Sequence, residues 1–236
     1  MDQKRFSNIL GCVKSCSSNK RFLLPGDSVL LITGGYTGEG YTASTEVFPS
    51  ISGCSSPPPL EWWGRTNHQT FKTSDPTPLI ASCGGWIGHY AASCLVLDLE
   101  NQRWDGTGRF RSRMGRLTTP RNNGAVVELN QGVLFLGGLY GSATSKTTSD
   151  FLATGSLQWQ QGPRLPQAMT SFCAVPVSPT KFLTINGDKI HEFDAAIAGP
   201  TSEEGWRDST LWPTLKTSRP LTPGCAKLNN KVISHL

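Results

Sequence analysis

The sequence predicts an all-β protein assembled from repeated antiparallel sheets, and three observations carry that expectation. Glycine and proline are abundant, at 25 and 16 of 236 residues, and charged residues make up only 17%. That composition suits short strands joined by many turns. Strong amphipathic helical stretches are hard to find. Above all, the chain repeats itself: LLITGG ends at Gly34 and Gly35, LIASCGG at Gly84 and Gly85, and VLFLGG at Gly137 and Gly138. A degenerate fourth copy, FLTING, ends at Gly187, and the closing glycines are spaced by 50, 53 and 49 residues. Each period is long enough for one small sheet.

The first unit opens with LLIT, turns through GGYTGEG and returns as TEVFP. GGYTGEG reads as a hairpin, not a phosphate loop. No Lys-Ser or Lys-Thr follows it, its spacing is not G-x-G-x-x-G, and STEVFP reads as strand where phosphate binding needs a helix N-terminus. No convincing strand precedes LLIT, since Arg21 to Leu24 is too short, so residues 1–26 read as a leader outside the repeats. The unit ends in SISGCSSPPPLEWW, a stretch expected to be exposed and stiff. Its Trp62 and Trp63 fall off the repeat's tryptophan position and serve either packing or a partner.

The later units keep a common register. Phe71, Gly124 and Cys173 each stand fourteen residues before the closing glycine and are expected to open the strands FKTS, GAVVEL and CAVPV. After the glycines come CLVLDL, SDFLA and IHEFD, which are apolar or alternating and suit a further strand. Trp104, Trp159 and Trp206 follow 20 or 22 residues beyond the first diglycine position. The fourth unit turns through Asn-Gly, a strong hairpin signal. GCAKL and KVISHL begin a fifth unit.

Four hydrophobic residues, a diglycine, a following aromatic and a tryptophan opening the last strand together resemble the kelch repeat. The best match is LIASCGGWIGHYAASCLVLDLENQRW. The resemblance spans residues 27–236 and implies a β-propeller, in which each repeat is a four-stranded antiparallel blade around a central channel. Units of 27–64, 65–116, 117–166, 167–219 and a partial 220–236 give about four repeats with incomplete first and last members, a partial or truncated propeller. The glycines above, with Trp104, Trp159 and Trp206, are its structural positions.

The same resemblance implies a non-catalytic module that binds a protein partner through loops on one propeller face. Tyr36, Trp86, His89 and Tyr140 would line that face, joined by the linker arginines Arg65, Arg121 and Arg219. The segment RWDGTGRFRSRMGR contributes Arg109, Arg111 and Arg113, which suit an acidic partner and also read as a solvated loop. A propeller enzyme, galactose-oxidase-like or carbohydrate-active, and a non-functional gene fragment are the alternatives.

Other classes find less support. A net charge of +5 is modest, and nucleic-acid binding calls for a broader basic face with more stacking aromatics. No apolar run approaches the roughly 20 residues of a membrane helix. MDQKRFSNILGCVKSCSS lacks an apolar signal-peptide core, which favours a cytoplasmic chain, or an extracellular one if the start is truncated. His68, His89, His191 and His235 share no spacing. Tyr36, Tyr41, Tyr90 and Tyr140 do not assemble a galactose-oxidase copper set. Glu204 and Asp208 approach the iron pattern of nitrile-specifier proteins, but Trp212 stands where histidine is required. Cys12 and Cys16 have no second pair nearby to complete a zinc site. No metal, cofactor or catalytic residue is therefore expected. Cys83 and Cys94 flank the second hairpin and face each other either as a disulfide or as two thiols. Cys173 and Cys225 share the position of Gly124 and read as small buried hydrophobes.

Overall fold

The computed structural model describes residues 10–11, 30–48, 57–60, 64–73, 79–98, 101, 103–106, 113–141, 144–187 and 189–208, with the backbone of 225–228 and 231–234. Among them nearly all regular structure is antiparallel β. The first sheet holds β1 (Leu10–Gly11), β2 (Leu30–Thr33) and β3 (Thr45–Phe48). The second holds β4 (Gln69–Lys72), β5 (Ile80–Cys83), β6 (Cys94–Asp98) and β7 (Arg103–Asp105). The third runs through β8 (Ala125–Leu129) and β9 (Gly132–Leu136), then a short ribbon of β10 (Leu139–Tyr140) and β11 (Thr144–Ser145), then β12 (Ser149–Ala153) and β13 (Trp159–Gln161). The fourth comprises β14 (Cys173–Pro176), β15 (Lys181–Asn186), β16 (Lys189–Asp194) and β17 (Trp206–Asp208), with a helical turn α1 (Ala195–Ala198) before its last strand. A hairpin of β18 (Cys225–Leu228) and β19 (Lys231–Ser234) follows. Each four-stranded sheet is a meander whose spatial order is the chain order.

The strands expected after the glycines are β3, β6, β12 and β16, and the tryptophan strands are β7, β13 and β17. Two expectations are corrected. The first unit does have a preceding strand: β1 pairs with β2, with Leu10 opposite Leu31, from within the segment expected to lie outside the repeats. Two residues are too few to leave a period-two pattern in sequence. In addition, β4 starts at Gln69 rather than Phe71, and Gly124 precedes β8 rather than opening it. The turn between the first two strands differs in length from sheet to sheet, so counting back from the glycine drifts. A better marker is the left-handed residue two places before each first strand, Asn67, Asn123 and Ser171, with φ of 53°, 60° and 52°.

Burial explains why the middle strands read as unbroken apolar runs. β5 and β9 are buried at every position, whereas β8 alternates, the pattern of a sheet covered on both faces at its centre. The core lies between consecutive sheets. Leu31, Phe71, Leu95, Trp104, Phe135 and Trp159 belong to one cluster spanning the first three sheets. Val127, Leu134, Phe151, Phe172 and Phe182 belong to a second, spanning the third and fourth. The first strands of consecutive sheets are neighbours, β1 with β4, β4 with β8, β8 with β14 and β14 with β18.

Trp104 and Trp159 fill wedges between sheets. Trp159 of the third sheet packs edge-on against Phe71 of the second, centroids 5.8 Å apart. Trp104 is buried and donates its indole N–H to the Pro58 carbonyl at 3.0 Å, so the proline-rich stretch of the first unit caps the second. Trp206 stays with its own sheet, 5.4 Å from Phe182 and 5.0 Å from Phe193.

Candidate functional site

The loops after the diglycines are held by a joint that recurs from sheet to sheet. At Gly84 and Gly85 the backbone is left-handed, φ 70° and 87°, and the Gly85 N–H donates to the Arg121 carbonyl at 2.8 Å. A Cβ on Gly84 would lie 2.7 Å from that carbonyl oxygen, closer than any side chain tolerates. Gly35 donates in the same way to the Arg65 carbonyl, and Gly138 to that of Met169, each at 2.8 Å. The residue at this linker position therefore ties itself to the preceding sheet with its backbone alone.

Where it is arginine, the side chain reaches into its own sheet as well. Arg65 Nη1 donates to the carbonyls of Gly84 at 2.8 Å and Ser93 at 2.9 Å, and its Nη2 to Ser93 Oγ at 2.9 Å. Arg121 Nη1 donates to the carbonyls of Gly137 at 2.7 Å and Thr148 at 2.8 Å. Its Nη2 also lies 2.5 Å from Asp150 Oδ2. Both arginines are fully buried. The expectation that they reach a partner is thus corrected: a rigid fork of five donors is what two strand-end carbonyls need in a dry interior. Burial lowers the pKa of Arg121 and the Asp150 carboxylate opposes that shift.

Beyond these clamps the loops present aromatic rings. Tyr36 bridges Tyr41 in the first loop, with centroids 5.7 Å apart. Trp86 bridges Tyr90 in the second, with centroids 5.0 Å apart and planes at 86°. Tyr90 in turn meets Tyr140 of the third loop edge-on at 6.0 Å. Lys146 Nζ sits 5.7 Å over the Tyr140 ring. The rings of the second and third loops thus form a continuous strip across two sheets. Exposure concentrates on these loops: of the five large hydrophobic side chains exposed among the described residues, Tyr36, Tyr41 and Tyr140 lie here, 40–49% exposed. The residue equivalent to Tyr36 and Trp86 in the third loop is Leu139, paired with Asn122 as Trp86 is with Thr66. Tyr140 stands one place further on.

The remaining expected residues scatter. His89 is exposed on the second loop. Arg113 is tied to Asp105, Nε to Oδ2 2.6 Å. Arg109, Arg111 and Arg219 lie outside the described residues, as do Trp62 and Trp63. Cys83 and Cys94 face each other on β5 and β6 and are joined as a disulfide. Cys173 is buried, as expected of a small hydrophobe at that position, and is in addition disulfide-bonded. His68 is buried, with Nε2 2.9 Å from Thr33 Oγ1. Burial, then the nearby Arg65 guanidinium, depress its pKa to about 3, so it is neutral at physiological pH. Among the described residues no group of three His, Cys, Asp or Glu side chains could hold a metal ion, and no helix is long and apolar enough to cross a membrane.

No family model and no curated protein matches this chain.

Sequence reasoning picked out Tyr36, Trp86 and Tyr140 as facing a partner, but not Tyr41, Tyr90 and Lys146, which stand beside them. A signal existed: an aromatic recurs four or five residues after the one that follows the diglycine, at Tyr90 and Tyr41, where each hairpin closes.

Proposed function

We propose that this chain is a kelch-type β-propeller module that binds a protein partner through its post-diglycine loops and carries no catalytic site of its own. The meander sheets, the repeated glycine joint and the neighbouring first strands support the propeller reading. The single observation that carries the binding role is the aromatic strip from Trp86 through Tyr90 to Tyr140, with exposed Tyr36 and Tyr41 on the preceding loop. Rigid aromatics are enriched among binding hot spots because they bury area at little entropic cost. Arg121 and Arg65 serve the scaffold beneath, and Lys146 gives one end of the strip a positive charge that suits an acidic partner.

The test is quantitative affinity mass spectrometry with the whole chain against a Tyr36→Ser/Tyr140→Ser variant. The reading expects a defined set of proteins retained by the native chain and lost by the variant, with unchanged melting temperature. Identical recoveries from both would remove the strip as the binding surface.

A further inference from the structure

A cleft of about 570 Å³ opens beside the second hairpin loop, between Ile87 and His89 on one side and Met114 to Arg116 on the other. That volume falls in the range of sites for small organic ligands. Its floor is apolar and buried, with Ala92, Cys94 and Met114 exposed by only 2–4%. The floor and the Met114–Arg116 wall are anchored. The Cys83–Cys94 disulfide fixes the floor, and the Met114 sulfur lies 3.9 Å from Cys83 Sγ. The Leu117 N–H donates to the Ala92 carbonyl at 2.9 Å, and the Gly115 N–H to the Leu157 carbonyl at 2.7 Å. The floor and that wall are therefore held by the fold itself.

Among the described residues the ionisable side chains that line it are His89 and Arg116, both exposed, and no carboxylate does. Arg103 and Arg113 nearby are engaged with Asp105, whereas Arg116 makes no ion pair among the described residues. We propose that the cleft binds an organic carboxylate on a compact apolar body. The body rests on Ala92 and Met114, and the carboxylate takes the Arg116 guanidinium, whose planar fork matches it, with the His89 imidazole beside it. A fully polar anion such as inorganic phosphate gains nothing from the greasy floor. Trp86, Tyr90 and Tyr140 of the aromatic strip do not line this cleft, although its Ile87–His89 wall belongs to the same loop.

The experiment titrates 4-phenylbutyrate into the isotope-labelled full chain and follows amide shifts by NMR. Shifts should fall on residues 87–94 and 113–117, with a dissociation constant on the order of 1 mM for so small a ligand. The uncharged 4-phenylbutanamide should bind at least about fivefold more weakly. Arg116→Gln should weaken the acid by a similar factor, leave the amide unchanged and leave the melting temperature in place. A capped Gly-Gly-Phe peptide, as free acid and as amide, separates the sources: binding by its free acid tighter than phenylbutyrate assigns the carboxylate to a chain terminus, and weaker binding to a free small acid. Equal binding of acid and amide, shifts on the aromatic loops with none at residues 113–117, or no shifts at saturating acid each overturn the proposal.

Discussion

Replacing Arg121 by methionine keeps most of the stem's volume and removes the guanidinium, so the energetic consequence follows from what the guanidinium holds. Asp150 is fully buried, and without its partner its carboxylate retains, among the described residues, Thr118, whose N–H donates at 2.8 Å and whose hydroxyl also contacts the same oxygen. The carbonyls of Gly137 and Thr148 lose the Nη1 donor as well. Breaking a buried ion pair from one side costs about 3–5 kcal/mol. For a chain of this size, each kcal/mol moves the midpoint by roughly 2–4 °C, so Arg121→Met should lower the melting temperature by about 6–20 °C. The second sheet supplies the compensating change, since Leu95 holds the register position that Asp150 holds in the third. Arg121→Met/Asp150→Leu should recover all but about 1–2 kcal/mol, the residue being the donor lost by the Gly137 carbonyl, since the Thr148 carbonyl keeps the Gly137 N–H. The assay is thermal and urea denaturation by circular dichroism, read as a double-mutant cycle with a coupling above about 2 kcal/mol. A loss below about 1 kcal/mol for Arg121→Met, or strict additivity, would refute the reasoning.

The neutral buried His68 makes the fold acid-sensitive. Its folded pKa of about 3 lies below the ordinary 6.5, so the unfolded chain binds the proton preferentially. Stability is full above pH 6.5 and falls as pH drops toward 3, by about 2 kcal/mol between pH 6.5 and 5. Urea midpoints across that range should slope accordingly, and His68→Gln should flatten the slope. Gly138→Ala and Gly187→Ala occupy the same repeat position, but only the former would place a Cβ 2.7 Å from a neighbouring carbonyl, that of Asn122. Gly187→Ala should cost about 1–2 kcal/mol, the penalty of the left-handed backbone alone, and Gly138→Ala clearly more; equal midpoint losses in denaturation would count against the joint. Finally, Cys83→Ala/Cys94→Ala removes a short closed loop and should lower stability by about 2–3 kcal/mol on the chain-entropy model. A calorimetric trace unchanged from the native chain would show that the crosslink contributes nothing to stability.

Much of the fold was legible because its signals are local. An apolar run ending in glycine marks β2, β5 and β9, and a tryptophan marks β7, β13 and β17, each within a few residues. β1 was illegible, since a two-residue strand is specified by its partner Leu31 and not by its own pattern. The site was half legible. Tyr36 and Tyr140 show as aromatics beside glycine, yet Arg65 and Arg121 look in sequence like any exposed linker arginine. Their burial is set by carbonyls contributed 16 to 28 residues further along the chain. No local window contains both ends of such a contact. The Arg121–Asp150 pair and the tie between Trp104 and Pro58 are hidden for the same reason.

The third glycine joint closes on Met169, where the first two close on arginine. Two sheets can thus be registered against each other by an amide, a carbonyl and the absence of a Cβ, whatever side chain the carbonyl's owner carries. The specification at each seam is largely a vacancy at one glycine. Side chains elsewhere along the seam are then left to encode something other than alignment, as Arg121 does with its buried charge and Met169 with its apolar contact to the second core cluster.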